Sequence, residues 1–271
     1  MTTEQNKPVI AIMRPERYLS ESAEFARSMG FDPVAIPMAE LSNIKDSVFD
    51  GFFTRVIQGD TDCVIIAGPA EIEYALKKIP HPMRPQFIET LNKRYIVAVN
   101  PETKEALDKE GVKTGGMPDI CNTEEIAAYM QDYADEAIID VVYGAPGSNA
   151  FTDQLQDFGA TLYETRVYNL IDPDKEEQEE FIRTVMQGDI DIFAFTDPTT
   201  VHNFFDHAKR QGLEKDVAQV LNNSIVAAIG EATTYTLKLY KVKAGVTPDN
   251  FTFEELLKAS MKAYTDTKLK S

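Results

Sequence analysis

The 271-residue sequence has few of the residues that build disulfide frameworks and metal centres. It contains two cysteines, three histidines and no tryptophan. Two isolated cysteines form neither a disulfide framework nor a CxxC zinc site, and Cys63, inside an apolar run, is expected to be a small buried side chain. His202 and His207 are five residues apart, so they do not share a helix face as metal ligands at i and i+4 do. We therefore expect no metal site.

Positive charge and long apolar runs are also scarce. Lys and Arg number 27 against 44 Asp and Glu, which gives a formal net charge of −17. This balance argues against nucleic-acid binding and against docking on an anionic membrane surface. No apolar run approaches the roughly 20 residues of a membrane-spanning helix, and the start MTTEQNKPVIAIM lacks the basic region of a signal peptide. We expect a cytoplasmic monomer without nucleic-acid or membrane partners.

Nucleotide and cofactor signatures are missing as well. The segment GAPGS (144–148) lacks the GK[ST] ending of a Walker loop, and no GxGxxG follows the first predicted strand. The acid-rich DPDKEEQEEF (172–181) is expected to be a solvated helix start rather than a cation site. We therefore expect no cofactor.

Strand-like and helix-like segments alternate along the chain. Short apolar runs such as VIAIM (9–13), CVIIA (63–67) and YIVAV (95–99) are followed by amphipathic stretches, several with proline at the first helical position. This alternation predicts parallel sheets in α/β layers.

The sequence also repeats itself in an unusual order. The segment 52–66 resembles 180–195 at an offset of 129 positions, and 97–126 resembles 227–256 at an offset of 130. A weaker similarity links 10–37 with 139–166. One copy is therefore split between the two chain ends, and the other is inserted within it.

This order predicts an α/β fold of two doubly wound parallel-sheet domains, flavodoxin-like and duplicated, with five strands each. We expect the two chain crossings to pair as a short ribbon and to act as a two-segment hinge. The predicted boundaries are 1–37 and 172–271 for domain 1, 42–165 for domain 2, and 38–41 and 166–171 for the crossings.

A ligand is expected beyond the carboxyl ends of the strands, in a cleft between the domains. Helix N-termini there present free N–H groups and favour anions. All α/β proteins have such turns, so the repeat alone leaves the charge of the ligand open. The turns are Arg14-Pro15, Gly68-Pro69, Asn100-Pro101, Gly144 to Ser148, Asp197-Pro198 and Gly230-Glu231.

Four segments together resemble the uroporphyrinogen-III synthase family. They are MRPERYLSESAEFARSMGF (13–31), RVYNL (166–170), FAFTDPTTVHNFF (193–205) and VAAIGEATTYTLKLYKVKAGVTPDNFTFEELLKA (226–259). The resemblance implies a cofactor-free lyase of tetrapyrrole biosynthesis, the route to porphyrins and haem. Such an enzyme cyclises hydroxymethylbilane, with inversion of ring D through a spiro intermediate, to uroporphyrinogen III and water.

The resemblance also implies roles for individual residues. Tyr168 matches a tyrosine that donates to the leaving hydroxyl; the alternative is packing of the crossing. Thr103 and Thr233 match threonines that present hydroxyl and N–H groups to substrate carboxylates, against an alternative of helix capping. Arg14 is expected to pair with a carboxylate, or else to be a surface arginine. The remaining expected substrate-binding residues are Gly68, Gly144, Thr196 and Gly230.

The sequence departs from the family at two equivalent turns, where many relatives have serine and this chain has Gly68 and Asp197. An ionised Asp197 would repel a substrate carboxylate, so we interpret it as an N-cap before Pro198. The departure leaves an alternative function open: a noncatalytic, hinged paralogue that binds a tetrapyrrole or another small molecule.

Overall fold

The computed structural model describes residues 7–44, 47–144 and 150–269. The chain divides into two compact units. Unit 1 comprises Met1–Leu41 and Leu170–Ser271, and unit 2 comprises Ser42–Asn169. Each has a mainly parallel sheet with helices on both faces, so the predicted α/β class is confirmed.

The first sheet has five strands. They are β1 (Val9–Pro15), β2 (Asp32–Asn43), β7 (Tyr168–Ile171), β8 (Ile192–Phe195) and β9 (Ile225–Ala228), in the spatial order β7-β2-β1-β8-β9. Strand β1 pairs in parallel with β2 and β8, and β8 pairs in parallel with β9. Strand β7, from the second crossing, lies beside β2, which runs through the first crossing. The hinge role of the crossings stays a prediction.

Helices cover both faces of this sheet because successive strand side chains point to opposite sides. The helices are α1 (Leu19–Ser28), α8 (Glu176–Val185), α9 (Pro198–Arg210), α10 (Glu214–Asn222), α11 (Glu231–Leu239) and α12 (Phe253–Lys268). Ala11 and Phe193 pack among α8, α9, α10 and α11, whereas Ile10 and Ile192 pack against α1 and α12.

The second sheet has four strands, all parallel. They are β3 (Cys63–Ile66), β4 (Tyr95–Ala98), β5 (Ile138–Tyr143) and β6 (Thr161–Arg166), in the spatial order β4-β3-β5-β6. The helices are α2 (Val48–Gln58), α3 (Pro69–Lys78), α4 (Arg84–Leu91), α5 (Pro101–Lys109), α6 (Thr123–Ala134) and α7 (Ala150–Asp157). Val64 and Ile66 face α2 to α5, whereas Ile65 and the buried Cys63 face α6 and α7.

The prediction of five strands for the second domain is wrong. In the described residues its fifth segment makes a single bridge between Val97 and Gly116. Tyrosine hydroxyls occupy the space into which a side chain at position 116 would extend. A Cβ atom added to Gly116 would lie 2.0 Å from the hydroxyl oxygen of Tyr129. The first sheet reaches five strands through β7, and its own equivalent segment likewise makes one bridge, Ala227 to Val246.

The amino ends of the strands repeat in polar detail between the units. The Asn92 side chain bonds the carbonyl of Gly111 at 2.9 Å and the N–H of Lys113 at 2.7 Å. Asn222, 130 positions later, bonds the carbonyl of Lys241 at 2.9 Å and the N–H of Lys243 at 3.0 Å. The two units therefore share side-chain hydrogen bonds as well as strand order.

Candidate functional site

Tyr168 is the predicted residue with the most defined surroundings. It follows β6 in unit 2, and its hydroxyl donates to Oε1 of Glu71 at 3.0 Å. Its ring packs on Gly144, where an added Cβ would lie 2.0 Å from Cζ. The ring of Tyr74 packs at 5.1 Å between centroids. Tyr168 and Gly144 are therefore brought together at the carboxyl ends of β5 and β6.

Glu71 lies in the first turn of α3 and is 5% exposed. Helix α3 begins after Gly68 without a side-chain cap, and the Glu71 carboxylate lies beside that glycine. A Cβ atom added to Gly68 would be 2.6 Å from Oε2 of Glu71. The positive end of the helix dipole favours a carboxylate here. The space beside Gly68 is thus filled by an acid of the chain itself.

Thr103 is fully buried at the start of the neighbouring helix α5. Its N–H and its hydroxyl both donate to Oδ1 of Asn100, at 2.9 and 2.7 Å. These are the two donors that the prediction assigned to substrate carboxylates. Inside this helix start they serve the cap, which is the alternative that the sequence left open.

Asp197 caps helix α9 in unit 1, as predicted. Its Oδ1 accepts the N–H of Thr199 at 2.5 Å, and Pro198 occupies the first helical position. Burial raises the pKa of Asp197 to about 6, although hydrogen bonds from Thr199 and Thr200 oppose the rise. The neighbouring Thr196 donates its hydroxyl to the carbonyl of Met13 at 3.3 Å and so joins the ends of β8 and β1.

Arg14 lies at the end of β1 with its guanidinium between two rings. The Cζ atom is 5.0 Å from the ring centre of Tyr18 and 4.4 Å from that of Phe253. One Nη donates to Ser22 at 2.8 Å. Arg14 is therefore a held, partly buried cation at the carboxyl edge of the first sheet.

Helix α11 begins after Gly230, also without a side-chain cap. The ring of Phe251 lies over this glycine, since an added Cβ would be 3.0 Å from the ring. Thr233, in the same first turn, is 2% exposed. Strand β8 separates the ends of β1 and β9, so Arg14 and this helix start are roughly 10 Å apart.

One group in the described part of the chain has the composition of a metal site: Asp172, Asp174 and His207, with ligand atoms within 4.8 Å of one another. Arg210 forms ion pairs with both aspartates, and His207 contacts Asp172 at 2.9 Å. Burial raises the pKa of Asp172, but the bonds from His207 and Arg210 outweigh it and leave that pKa lowered. Arg210 therefore already supplies the positive charge that a metal would bring.

Glu71 was missed by the sequence interpretation, and residues 145–148 of the predicted Gly144 to Ser148 turn lie outside the described residues. The repeat contains a signal for Glu71. At the offset of 129, Gly68 matches Asp197 and Glu71 matches Thr200, so each four-residue helix start contains one acid at a different position. None of the helices in the described ranges is long and apolar enough to span a bilayer.

Comparison with known proteins gives a consistent result. The model of the family described as uroporphyrinogen-III synthase HemD matches residues 20–258. The uroporphyrinogen-III synthase of Chlorobaculum parvum is 23% identical over 265 residues, which cover 94% of this chain and 98% of that protein. A putative uroporphyrinogen-III synthase of Methanothermobacter thermautotrophicus is 24% identical over 92% of this chain and 96% of its own length. The resemblance noted in the sequence is confirmed.

Solved structures show the same fold. A mutant uroporphyrinogen III synthase from Thermus thermophilus superposes with a TM-score of 0.61 at 15% identity, covering 96% of this chain and 99% of that one. The uroporphyrinogen-III synthetase of Helicobacter pylori gives 0.54 at 12% identity, with coverages of 95% and 99%.

Proposed function

Since the chain belongs to the uroporphyrinogen-III synthase family, we propose that it converts hydroxymethylbilane to uroporphyrinogen III and water in tetrapyrrole biosynthesis. This is a lyase reaction that needs no cofactor. The observation that carries the proposal is the Tyr168 hydroxyl, held by Glu71 at the carboxyl edge of the second sheet, where α/β sheets bind ligands.

The reaction depends more on how the substrate is oriented than on acid–base assistance. Loss of the substrate hydroxyl gives an azafulvene, attack at the substituted carbon of ring D gives a spiro intermediate, and this fragments and recloses with ring D inverted. Unassisted closure gives the other isomer. The protein must hold the flexible substrate in the conformer that leads to the spiro route. Tyr168 assists departure of the hydroxyl by donating a hydrogen bond or a proton.

The substrate carries many carboxylates, and unit 1 offers two features suited to binding one. Arg14 supplies a held guanidinium, and α11 supplies an N-terminus without a side-chain cap, next to Thr233. The net charge of −17 does not prevent this, because salt screens charges more than about 8 Å away. In this proposal Gly68 and Gly144 leave room for the side chains of Glu71 and Tyr168. Thr196 and Gly230 shape the carboxyl edge of the first sheet, and Thr103 acts through the cap of α5.

The test is to supply hydroxymethylbilane to the purified protein and to resolve the product isomers. We expect the type III isomer to form faster than spontaneous closure. Tyr168→Phe should lower kcat about a hundredfold, the lower range for a lost acid–base group, with little change in KM. Tyr133→Phe is the matched control, since this phenol in unit 2 is 50% exposed. Formation of only the other isomer, at the rate without protein, would reject the synthase function.

A second candidate is a noncatalytic binding paralogue. Two helix starts already contain acids of the chain, Glu71 in α3 and Asp197 in α9. Both carboxylates would weaken binding of a polyanion at those positions. This candidate predicts saturable binding of a tetrapyrrole with no acceleration of cyclisation, which the same isomer assay separates from the first.

A further inference from the structure

Glu71 is an unusual residue to find buried. A carboxylate that is 5% exposed must be compensated by hydrogen bonds or positive charge. Two compensations are visible: the N-terminal turn of α3, in which Glu71 lies, and the Tyr168 hydroxyl at 3.0 Å. The contact joins residues 97 positions apart, so it is a product of the tertiary fold.

Two glycines make room for this contact, one on each side. A side chain at position 68 would collide with the Glu71 carboxylate, at 2.6 Å from Oε2. A side chain at position 144 would collide with the Tyr168 ring, at 2.0 Å from Cζ. The Gly68 backbone is extended (φ 179°), so its conformation does not require glycine, whereas the space does. The absence of side chains at both positions therefore serves the Glu71–Tyr168 pair.

We propose that Glu71 is a positioning residue for Tyr168, an inference that rests on the proposed function. A phenol has a single O–H, and its direction follows whichever acceptor it meets. The Glu71 carboxylate supplies that acceptor from a helix start and so holds the phenolic oxygen in place in the free protein. When substrate binds, the O–H turns from Glu71 to the leaving hydroxyl while the oxygen keeps its position. Glu71 touches no reacting atom and acts through the orientation of Tyr168. Its loss should therefore lower kcat and leave KM nearly unchanged.

The test compares two replacements of Glu71. Glu71→Thr removes the acceptor and installs the residue found at the equivalent position of unit 1, Thr200, which that helix start accommodates. Glu71→Gln removes the charge but keeps an amide oxygen that can accept the phenolic hydrogen. We expect Glu71→Thr to lower kcat about tenfold, the factor of one hydrogen bond to a charged group. Glu71→Gln should retain most of the activity.

Glu71→Thr is then combined with Tyr168→Phe. If Glu71 acts through the phenol, Glu71→Thr should change the residual rate there less than about twofold, because the interacting partner is already gone. Glu73→Gln is the matched control, since it removes the same charge from the same helix at a side chain paired with Lys77. The unfolding midpoint of each variant separates lost rate from lost fold, and Glu71→Ala replaces Glu71→Thr if the latter does not fold.

The outcomes distinguish this inference from the function on which it rests. A wild-type protein that forms no type III isomer overturns both. An active wild type in which Glu71→Thr slows both backgrounds equally, or in which Glu71→Gln is as slow as Glu71→Thr, overturns the positioning role alone.

Discussion

Helices α3 and α9 occupy equivalent places in the two units, and each begins with one buried or partly buried carboxylate. In α9 the acid is Asp197, which bonds the N–H of Thr199 in its own first turn. In α3 the equivalent position is Gly68, and the acid comes three residues later from Glu71, which reaches Tyr168. Asp197 therefore caps its own helix. Glu71 has a longer side chain and lies three residues further into its helix, so it lies at the helix start and also accepts a hydrogen bond from a distant side chain.

The amino ends of the strands, in contrast, make equivalent hydrogen bonds in the two units. Asp62 accepts the N–H of Ile138 at 2.9 Å, and Asp191, its equivalent, accepts the N–H of Val9 at 2.9 Å. Similar bonds made by Asn92 and Asn222 are also present in both units. The duplicated units thus keep the polar contacts of one sheet edge and differ at the carboxyl edge, where α/β folds bind ligands.

The largest expected effect comes from introducing the capping aspartate of α9 at the equivalent position of α3 while Glu71 is still present. Gly68→Asp should destabilise the protein by about 3 kcal/mol, because the new side chain overlaps the Glu71 carboxylate and adds a like charge. The double variant Gly68→Asp with Glu71→Thr copies α9 and should recover all but about 1 kcal/mol. Denaturant unfolding of the wild type and three variants measures both quantities, and additive losses would show that the two helix starts are not interchangeable.

The next effect tests the charge of Asp197. Its pKa is raised in the folded protein from 3.8 to about 6, so its contribution to stability is fully present below about pH 4 and is lost as pH rises through 6. Asp197→Asn keeps an N-cap without the charge. The variant should gain about 2 kcal/mol relative to the wild type between about pH 4 and pH 8. Unfolding curves of the wild type and the variant at about pH 4 and pH 8 measure the gain. A difference in unfolding free energy between the two proteins that is the same at both pH values would contradict the raised pKa of Asp197.

The smallest effect tests the amino edge that the two units share. Asn92→Ala removes two side-chain hydrogen bonds to backbone, and Asn222→Ala removes the equivalent two and a third, to the carbonyl of Ala218 in its own helix. Each should cost about 1 kcal/mol, since the bonds are exposed and water replaces them in part. Thermal or denaturant unfolding is the measurement. Equal losses would support equivalence of the amino edges, and a loss confined to one unit would refute it.

Much of the fold could be predicted because its signals are local. Alternating apolar runs and the prolines at positions 69, 101 and 198 predict strand-to-helix turns, and all three prolines begin helices. Helices α4 and α10 were not predicted, although they too are 130 positions apart. The domain boundaries and the hinge stay predictions, as do the roles of the expected site residues.

The candidate site was harder to predict because side-chain partners depend on distant chain. The sequence predicts Tyr168 as a donor, but nothing local to it indicates that its hydroxyl meets Glu71. The sequence predicts Thr103 as a donor through its hydroxyl and N–H, and in the structure both bond Asn100, three residues earlier. Asp197 was predicted correctly as a cap, since its partner lies only two residues away.

The residue order alone thus determines the parallel α/β class, the duplication, the helix starts and the family, because these depend on periodicity and on turn chemistry within a few residues. Tertiary structure decides what each carboxylate touches. The parallel register of β3, β5 and β6 brings the residues that follow these strands to one sheet edge. Only there do Gly68 and Gly144 leave space for Glu71 and Tyr168 to meet, and close packing across 97 positions of chain cannot be derived from local pattern.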